Sequence, residues 1–288
     1  MLQRTRTTAA LVAVVVGLTA CSAQEKDVVT SGLAALPGND PGLAHVHGVG
    51  VDPGDGTLYA ASHHGVFRIP ASGDAVRVAN RYQDTMGFTV IGRNHFLGSG
   101  HPDLRENLPS HLGLIESTDG GQTWQSLSLA GRADFHALRV AGDRIYGYDA
   151  ITGQLLTSTN RRDWERRARL ELADFAVSPP NPQLLLATTP GGVQRSTDGG
   201  RTFSPVRNAP VLRTLAWPTP EALYGVAPDG AVWASADGGI SWVARARLDG
   251  APQAMTAGGD STVYVATDSG IYASTDAAVS FSLRHRLG

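Results

Sequence analysis

The feature that most constrains this 288-residue chain is an eight-residue segment that returns at a fixed interval. Ser117-Thr118-Asp119-Gly120-Gly121-Gln122-Thr123-Trp124 recurs as Ser196-Thr197-Asp198-Gly199-Gly200-Arg201-Thr202-Phe203 and as Ser235-Ala236-Asp237-Gly238-Gly239-Ile240-Ser241-Trp242. Weaker copies start at Ser158 and Ser274 and close on Trp164 and Phe281. The five starts are spaced by 41, 38, 39 and 39 residues. With 34 glycines and 16 prolines separating short apolar runs, such a period describes an array of like units, none able to bury its apolar face alone.

Each period holds four strand-like runs. In the unit around residue 190 they are Phe175 to Ser178, Leu184 to Thr188, Val193 to Ser196 and Thr202 to Val206, divided by Pro179-Pro180, Pro190-Gly191-Gly192 and Asp198-Gly199-Gly200. Four antiparallel strands per forty residues is the arithmetic of a propeller blade. A unit without the Asp turn precedes the first clear copy, from His45 to about Ala79. The expected fold is therefore all-β, a six-bladed β-propeller over residues 43–288, with blades starting near 44, 85, 134, 173, 211 and 252. Blade two carries an insertion from Gly100 to His111. The last strand stops at the end of the chain, so closure through a shared blade is not expected, and residues 28–34 are left open as an extra outer strand.

In the turn, Gly-Gly permits positive φ angles and the Asp carboxylate can accept hydrogen bonds from the turn's own N–H groups. The Ser-x-Asp-Gly-Gly-x-Thr-Trp pattern resembles the Asp-box, or BNR repeat, of sialidases, sortilin-type ectodomains and related propellers. That resemblance implies a propeller in which the box lies away from the active face, so Asp119, Asp198 and Asp237 are expected to be structural.

Arg4 and Arg6 precede an apolar run, Ala9 to Leu18, and then Leu18-Thr19-Ala20-Cys21. About ten apolar residues are too few to span a bilayer, and the arrangement reads as a signal peptide over residues 1–20. Leu-Thr-Ala-Cys is similar to the lipobox of bacterial lipoproteins, which implies cleavage before Cys21, diacylglyceryl attachment to it and placement at the cell envelope, on the extracytoplasmic face. Cys21 is the only cysteine, so no disulfide can form within the chain. Residues 21–42 read as the lipidated cysteine and a flexible tether. A net charge of −2 with no basic stripe gives no reason to expect nucleic acid.

Eight of the nine histidines fall between residues 45 and 136. Taking Tyr59, Leu97, Tyr146, Leu186, Tyr224 and Tyr264 as equivalent second-strand positions, stepping back into the first strand gives His47, Met86, His136, Ala176, Thr214 and Ala254 or Met255. The first strand of a blade lines the central channel, so His47, Met86 and His136 are expected to converge at its mouth. His45 lies two residues before His47 and so on the same side. His63-His64 and His101 fall on the loop between second and third strands, at the same end. His95, His111 and His285 have no such register. Imidazoles with one thioether suit a late first-row transition metal, copper above all. Asp134 and Asp149 are candidate outer carboxylates that fix a histidine tautomer.

Two other readings compete. Phe67-Arg68-Ile69-Pro70 resembles the Phe/Tyr-Arg-Ile-Pro motif of sialidases, whose arginine binds the sialic acid carboxylate, although here it follows His63-His64-Gly65 on a third strand. Arg139 and Arg213, expected deeper in the channel, with Tyr146, Tyr148 and Asp149, would have to supply the rest of a glycoside hydrolase acting on extracellular glycans. Alternatively, a tethered propeller serves as a scaffold for an envelope partner protein. The whole pattern, with Met-Gly-Phe, Ser-Gly-His-Pro and Asp-Phe-His-Ala-Leu, is similar to bacterial lipoproteins grouped as glycosylhydrolase-like BNR proteins.

Overall fold

A computed structural model describes residues 40–259 and 261–287. The signal peptide, Cys21, residues 28–34 and nearly all of the tether lie outside the described residues. Blade one is β1 (Val46–Val51), β2 (Leu58–Ser62), β3 (Gly65–Ile69) and β4 (Val76–Arg77), and blade two is β5 (Asp84–Gly92), β6 (His95–His101), β7 (Leu114–Ser117) and β8 (Gln125–Ser128). Blade three is β9 (Phe135–Ala141), β10 (Arg144–Asp149), β11 (Gln154–Ser158) and β12 (Glu165–Arg169), and blade four is β13 (Asp174–Ser178), β14 (Asn181–Thr189), β15 (Gly192–Ser196) and β16 (Ser204–Pro205). Blade five is β17 (Thr214–Thr219), β18 (Ala222–Val226), β19 (Ala231–Ser235) and β20 (Val243–Arg247). Blade six is β21 (Pro252–Gly258), β22 (Thr262–Thr267), β23 (Gly270–Ser274) and β24 (Ser282–Arg286). Each set forms one four-stranded antiparallel sheet in sequence order.

A blade packs on a neighbour with both faces, which is why β2, β13 and β18 are buried at every position rather than at alternate ones. Apolar clusters form between neighbouring blades. Tyr59, Ala61 and Val66 meet Phe88 and Phe96 between blades one and two, and Ala216, Tyr224 and Val226 meet Val263 and Val265 between five and six. The ring closes in the same way: Val46, Val49, Leu58, Ala60 and Ile69 of blade one pack on Ala254, Ala266 and Ile271 of blade six. Among the described residues no strand passes from the first blade to the last.

The repeated turns consume their own polar groups. Ser117 Oγ accepts from Gly121 N–H and donates to Asp119 Oδ1, both at 2.8 Å. Asp119 Oδ1 also accepts from Thr123 N–H at 2.9 Å and Oδ2 from Thr123 Oγ1 at 2.6 Å, while Trp124 Nε1 donates to Gly121 O. The serine and aspartate bonds recur around Asp198 and Asp237, the indole bond only at Trp242, and the degraded copy at Asp276 keeps the serine and aspartate bonds through Ser280. Both oxygens being engaged, Asp119→Ala is expected to cost about 1–2 kcal/mol of stability in chemical denaturation.

The turns also lie at the far end from the histidines of the channel mouth. Ser117 pairs with Phe96 and Phe96 with Val90 near the end of β5, whereas Asp84, at the start of β5, pairs with His101.

Candidate metal centre

The first strands of blades one, two and three each carry one unpaired residue near their start. In β1, Val46 pairs with Ser62 and Gly48 with Ala61, which leaves His47 unopposed. Thr85 and Gly87 pair with Gly100 and Ser99 around Met86, and Phe135 and Ala137 pair with Asp149 and Tyr148 around His136. Blade six repeats the bulge at Gln253. A bulge re-aims its side chain and breaks the strict alternation of faces, and all four residues line a central cavity of about 240 Å³. Gly87, next to Met86, is required by close approach: a Cβ there would sit 2.3 Å from Phe135 O in blade three.

Blades four and five lack this bulge, and the residues just before Asp174 and Thr214 take the equivalent place. The column is therefore His47, Met86, His136, Ala173, Arg213 and Gln253, rather than one ending in Ala176, Thr214 and Ala254 or Met255. Hairpin lengths differ between blades and the bulge adds a residue in only four of them, so counting back from the second strand lands one to three residues late. Arg213 consequently stands at the mouth, not deeper.

Contacts divide the histidines into two groups. His45, His47 and His63 offer ligand atoms all within 4.8 Å of one another. His63 stacks on His45 at 5.3 Å and meets His47 edge-on at 4.3 Å. His47 Nε2 is 3.1 Å from His63 Nδ1. Asp84 Oδ1 lies 3.1 Å from His63 Nδ1 and 3.7 Å from His47 Nε2. His101, His111 and Asp134 form the second group. Asp134 Oδ2 is 3.0 Å from His136 Nε2, 3.5 Å from His101 Nε2 and 4.0 Å from His111 Nδ1. The groups are joined, because Asp84 Oδ2 is 3.3 Å from His101 Nδ1.

His47 is the most enclosed of the first group, its side chain 10% exposed. Burial, with His63, His45 and His136 close by, pulls its pKa down to about 3, so its imidazole is neutral near pH 7, the form that binds metal. The pKa of His45 is also lowered, by burial first and then by the charges of His63 and Arg213. Its Nδ1 is 3.1 Å from the amide nitrogen of Gln253, whose oxygen accepts from Val46 N–H. Burial works against ionisation of Asp134, yet the His136 hydrogen bond and the surrounding imidazoles hold its carboxyl below the usual value.

Other expected residues stand apart. His64 belongs to neither group; its backbone is held by Ser62 Oγ and Arg77 Nε, and its ring centroid is 6.3 Å from that of His63. Asp149 touches no histidine. Its Oδ1 accepts from Asp134 N–H and its Oδ2 from Thr152 Oγ1, so it holds the backbone under Asp134 rather than a ring. Arg68 is exposed on β3, away from the cavity lining. Tyr146 is fully buried and donates to Pro182 O, which places it in the core. Arg139 lines the cavity and pairs with Asp174 at 2.5 Å.

Two site residues escaped sequence reasoning. Asp84 lies two residues before Met86, as His45 does before His47 and Asp134 before His136, so the same column held its signal. His111 closes the insertion that His101 opens, and Leu112 N–H donates to Gly100 O at 2.8 Å across the loop base. A histidine at each end of one insertion was that signal.

The BNR/Asp-box repeat family model matches residues 115–126. None of the curated proteins matches this chain in sequence. Among solved structures, a gluconolactonase from Xanthomonas campestris superposes with a TM-score of 0.65 at 14% identity, over 81% of this chain and 86% of that one. A chain of a nidogen/laminin complex gives 0.61 at 12% identity, over 80% and 95%. YCF48 bound to D1 peptide gives 0.54 at 14%, over 86% and 85%. At these identities the likeness is one of fold. Fold and site together define a six-bladed propeller with an Asp-box repeat, whose channel mouth carries a His/Asp cluster that could hold a metal ion.

Proposed function

We propose that this protein binds a late first-row transition metal, copper favoured, at the mouth of its channel, and that it does so as a lipoprotein anchored through Cys21 on the extracytoplasmic face of the cell envelope. The observation that carries the metal reading is the triangle of His47 Nε2, His63 Nδ1 and Asp84 Oδ1, with sides of 3.1, 3.1 and 3.7 Å. A point about 2 Å from all three atoms exists, the length of a metal–imidazole or metal–carboxylate bond. A single hydrogen on His63 Nδ1 can only be shared between its two neighbours, whereas a cation bonds all three. His45 and Met86 stand at the same cavity wall. For His45 to bind through Nε2, its Nδ1 must carry the proton, and Gln253 has to turn its oxygen toward it.

Imidazole and thioether favour copper, and among divalent ions at a nitrogen and oxygen site copper binds tightest. Asp84 makes the donor set harder than histidine and methionine alone, which moves the preference from Cu(I) toward Cu(II). A bound ion would supply Lewis acidity or a reversible one-electron couple; the chain itself keeps His47 neutral and positions Asp84. The role is acquisition, delivery or sensing of the metal at the envelope. Of the residues named for a glycoside hydrolase, Arg68, Tyr146 and Asp149 are away from the cavity or engaged in the fold, whereas Arg139 and Arg213 line it.

Purified without chelator, the wild type is expected to carry stoichiometric metal by elemental analysis, and a His47→Ala/His136→Ala double variant to lose it. A wild type that is metal-free and binds copper no better than the double variant overturns the reading. Cys21→Ser is expected to release the protein from the membrane fraction.

A further inference from the structure

The second group of histidines has features that one ion at His47 and His63 does not use. Asp134 is buried, its side chain only 7% exposed, and its Oδ1 has no hydrogen-bond partner. His111 Nδ1, 4.0 Å from Asp134 Oδ2, is likewise buried and without a partner. Burying polar atoms unsatisfied costs free energy, and here both belong to residues of one group whose ligand atoms lie within 4.8 Å of one another. His101 Nε2 and His136 Nε2 reach Asp134 Oδ2 from the other sides.

Resting on the metal-binding reading above, we infer that the mouth holds two metal ions rather than one. His47, His63 and Asp84 Oδ1 hold the first. His101 Nε2, His111 Nδ1, His136 Nε2 and Asp134 hold the second. The donor set of the second is three imidazoles and a carboxylate, which suits Cu(II) or Zn(II). No residue supplies a ligand atom to both ions.

Asp84 and His101 connect them. When His101 binds through Nε2, its Nδ1 carries the proton, and the acceptor 3.3 Å away is Asp84 Oδ2. This carboxylate–imidazole pair fixes the tautomer and ring orientation of a ligand, as outer-shell carboxylates do in metal sites. Asp84 thus ligates at one site with Oδ1 and orients a ligand of the other with Oδ2. The loop from Gly100 to His111 serves the second site with both its ends, because Leu112 N–H closes its base on Gly100 O. That gives the insertion of blade two a purpose the repeat does not require.

Calorimetric titration of the chelator-stripped protein with Cu(II), repeated with Zn(II), tests this. Two equivalents are expected in the wild type. His63→Ala and His111→Ala are each expected to bind one, and the pair of substitutions none. Asp84→Asn is expected to weaken both sites, the second by about 10–100-fold through His101. Should His111→Ala fail to fold, Asp134→Asn reads the same site. A single equivalent in the wild type, lost in either variant, overturns the two-ion arrangement and leaves the metal-binding function standing. No binding at all in the wild type overturns both.

Discussion

Arg139→Ala is expected to destabilise the propeller by about 3 kcal/mol near pH 7, read by chemical denaturation, with a smaller loss in acid. Asp174 is buried at the junction of three blades. Its Oδ1 accepts from Arg139 of blade three at 2.5 Å and from Phe175 N–H of blade four at 2.8 Å, and its Oδ2 accepts from Leu215 N–H of blade five at 2.9 Å. Burial outweighs these partners and raises the carboxyl above its usual range. A carboxyl whose folded pKa is raised keeps its stability in full below the unfolded value and loses it as pH rises through the folded one. Removing the guanidinium raises the folded value further. The penalty is therefore fully expressed only where Asp174 must be charged, and shrinks as it is protonated. Arg139→Leu with Asp174→Leu is expected to recover much of the loss, since an apolar pair leaves no buried charge uncompensated. An Arg139→Ala variant within 0.5 kcal/mol of wild type at pH 7, the scale of an indifferent surface change, would show that the arginine does not hold this carboxylate.

The fold was readable because the Asp box repeats: Ser117, Ser196, Ser235 and Ser274 each end a third strand, and one ruler placed five of the six blades. The site was readable only as far as that ruler reached. His47, Met86 and His136 lie at equivalent bulges, and the register found all three. The same counting failed beyond blade three, since a bulge is a local extra residue that leaves no compositional mark. Hydrogen-bond partners were less readable still. Asp134 and Asp149 looked alike as candidates, yet one faces three imidazoles and the other caps a hairpin. Both lie at the same end of β10, and the difference is which partners each side chain meets there, which periodicity does not encode. His111 was missed because an insertion has no counterpart in the other blades to align with it.

In its metal-free form the protein is expected to lose about 2 kcal/mol of stability between pH 6.5 and pH 5 through His47 alone. The ring is nearly enclosed and surrounded by other imidazoles, so burial, then His63, His45 and His136, lower its pKa from 6.5 to about 3. Unfolding exposes it and restores the ordinary value. Between those two values the unfolded chain binds more protons than the folded one. The stability is thus present in full above pH 6.5 and declines as pH falls, by about 1.4 kcal/mol per unit. His47→Leu replaces a ring that must stay neutral with an aliphatic side chain that cannot titrate, and its stability is expected to change less over the same interval. Denaturation at pH 7 and pH 5 measures the difference, and equal losses in wild type and His47→Leu would remove His47 as the source. The argument bears on function, because the enclosure that makes the metal-free protein acid-sensitive is what keeps the nitrogen lone pair free for a cation at neutral pH. A site built from exposed histidines would be cheaper to fold, but protons would compete for it near pH 6.5. Metal added at pH 7 is expected to stabilise wild type more than His47→Leu, since an ion that binds the folded state shifts the unfolding equilibrium and the variant keeps only the second site.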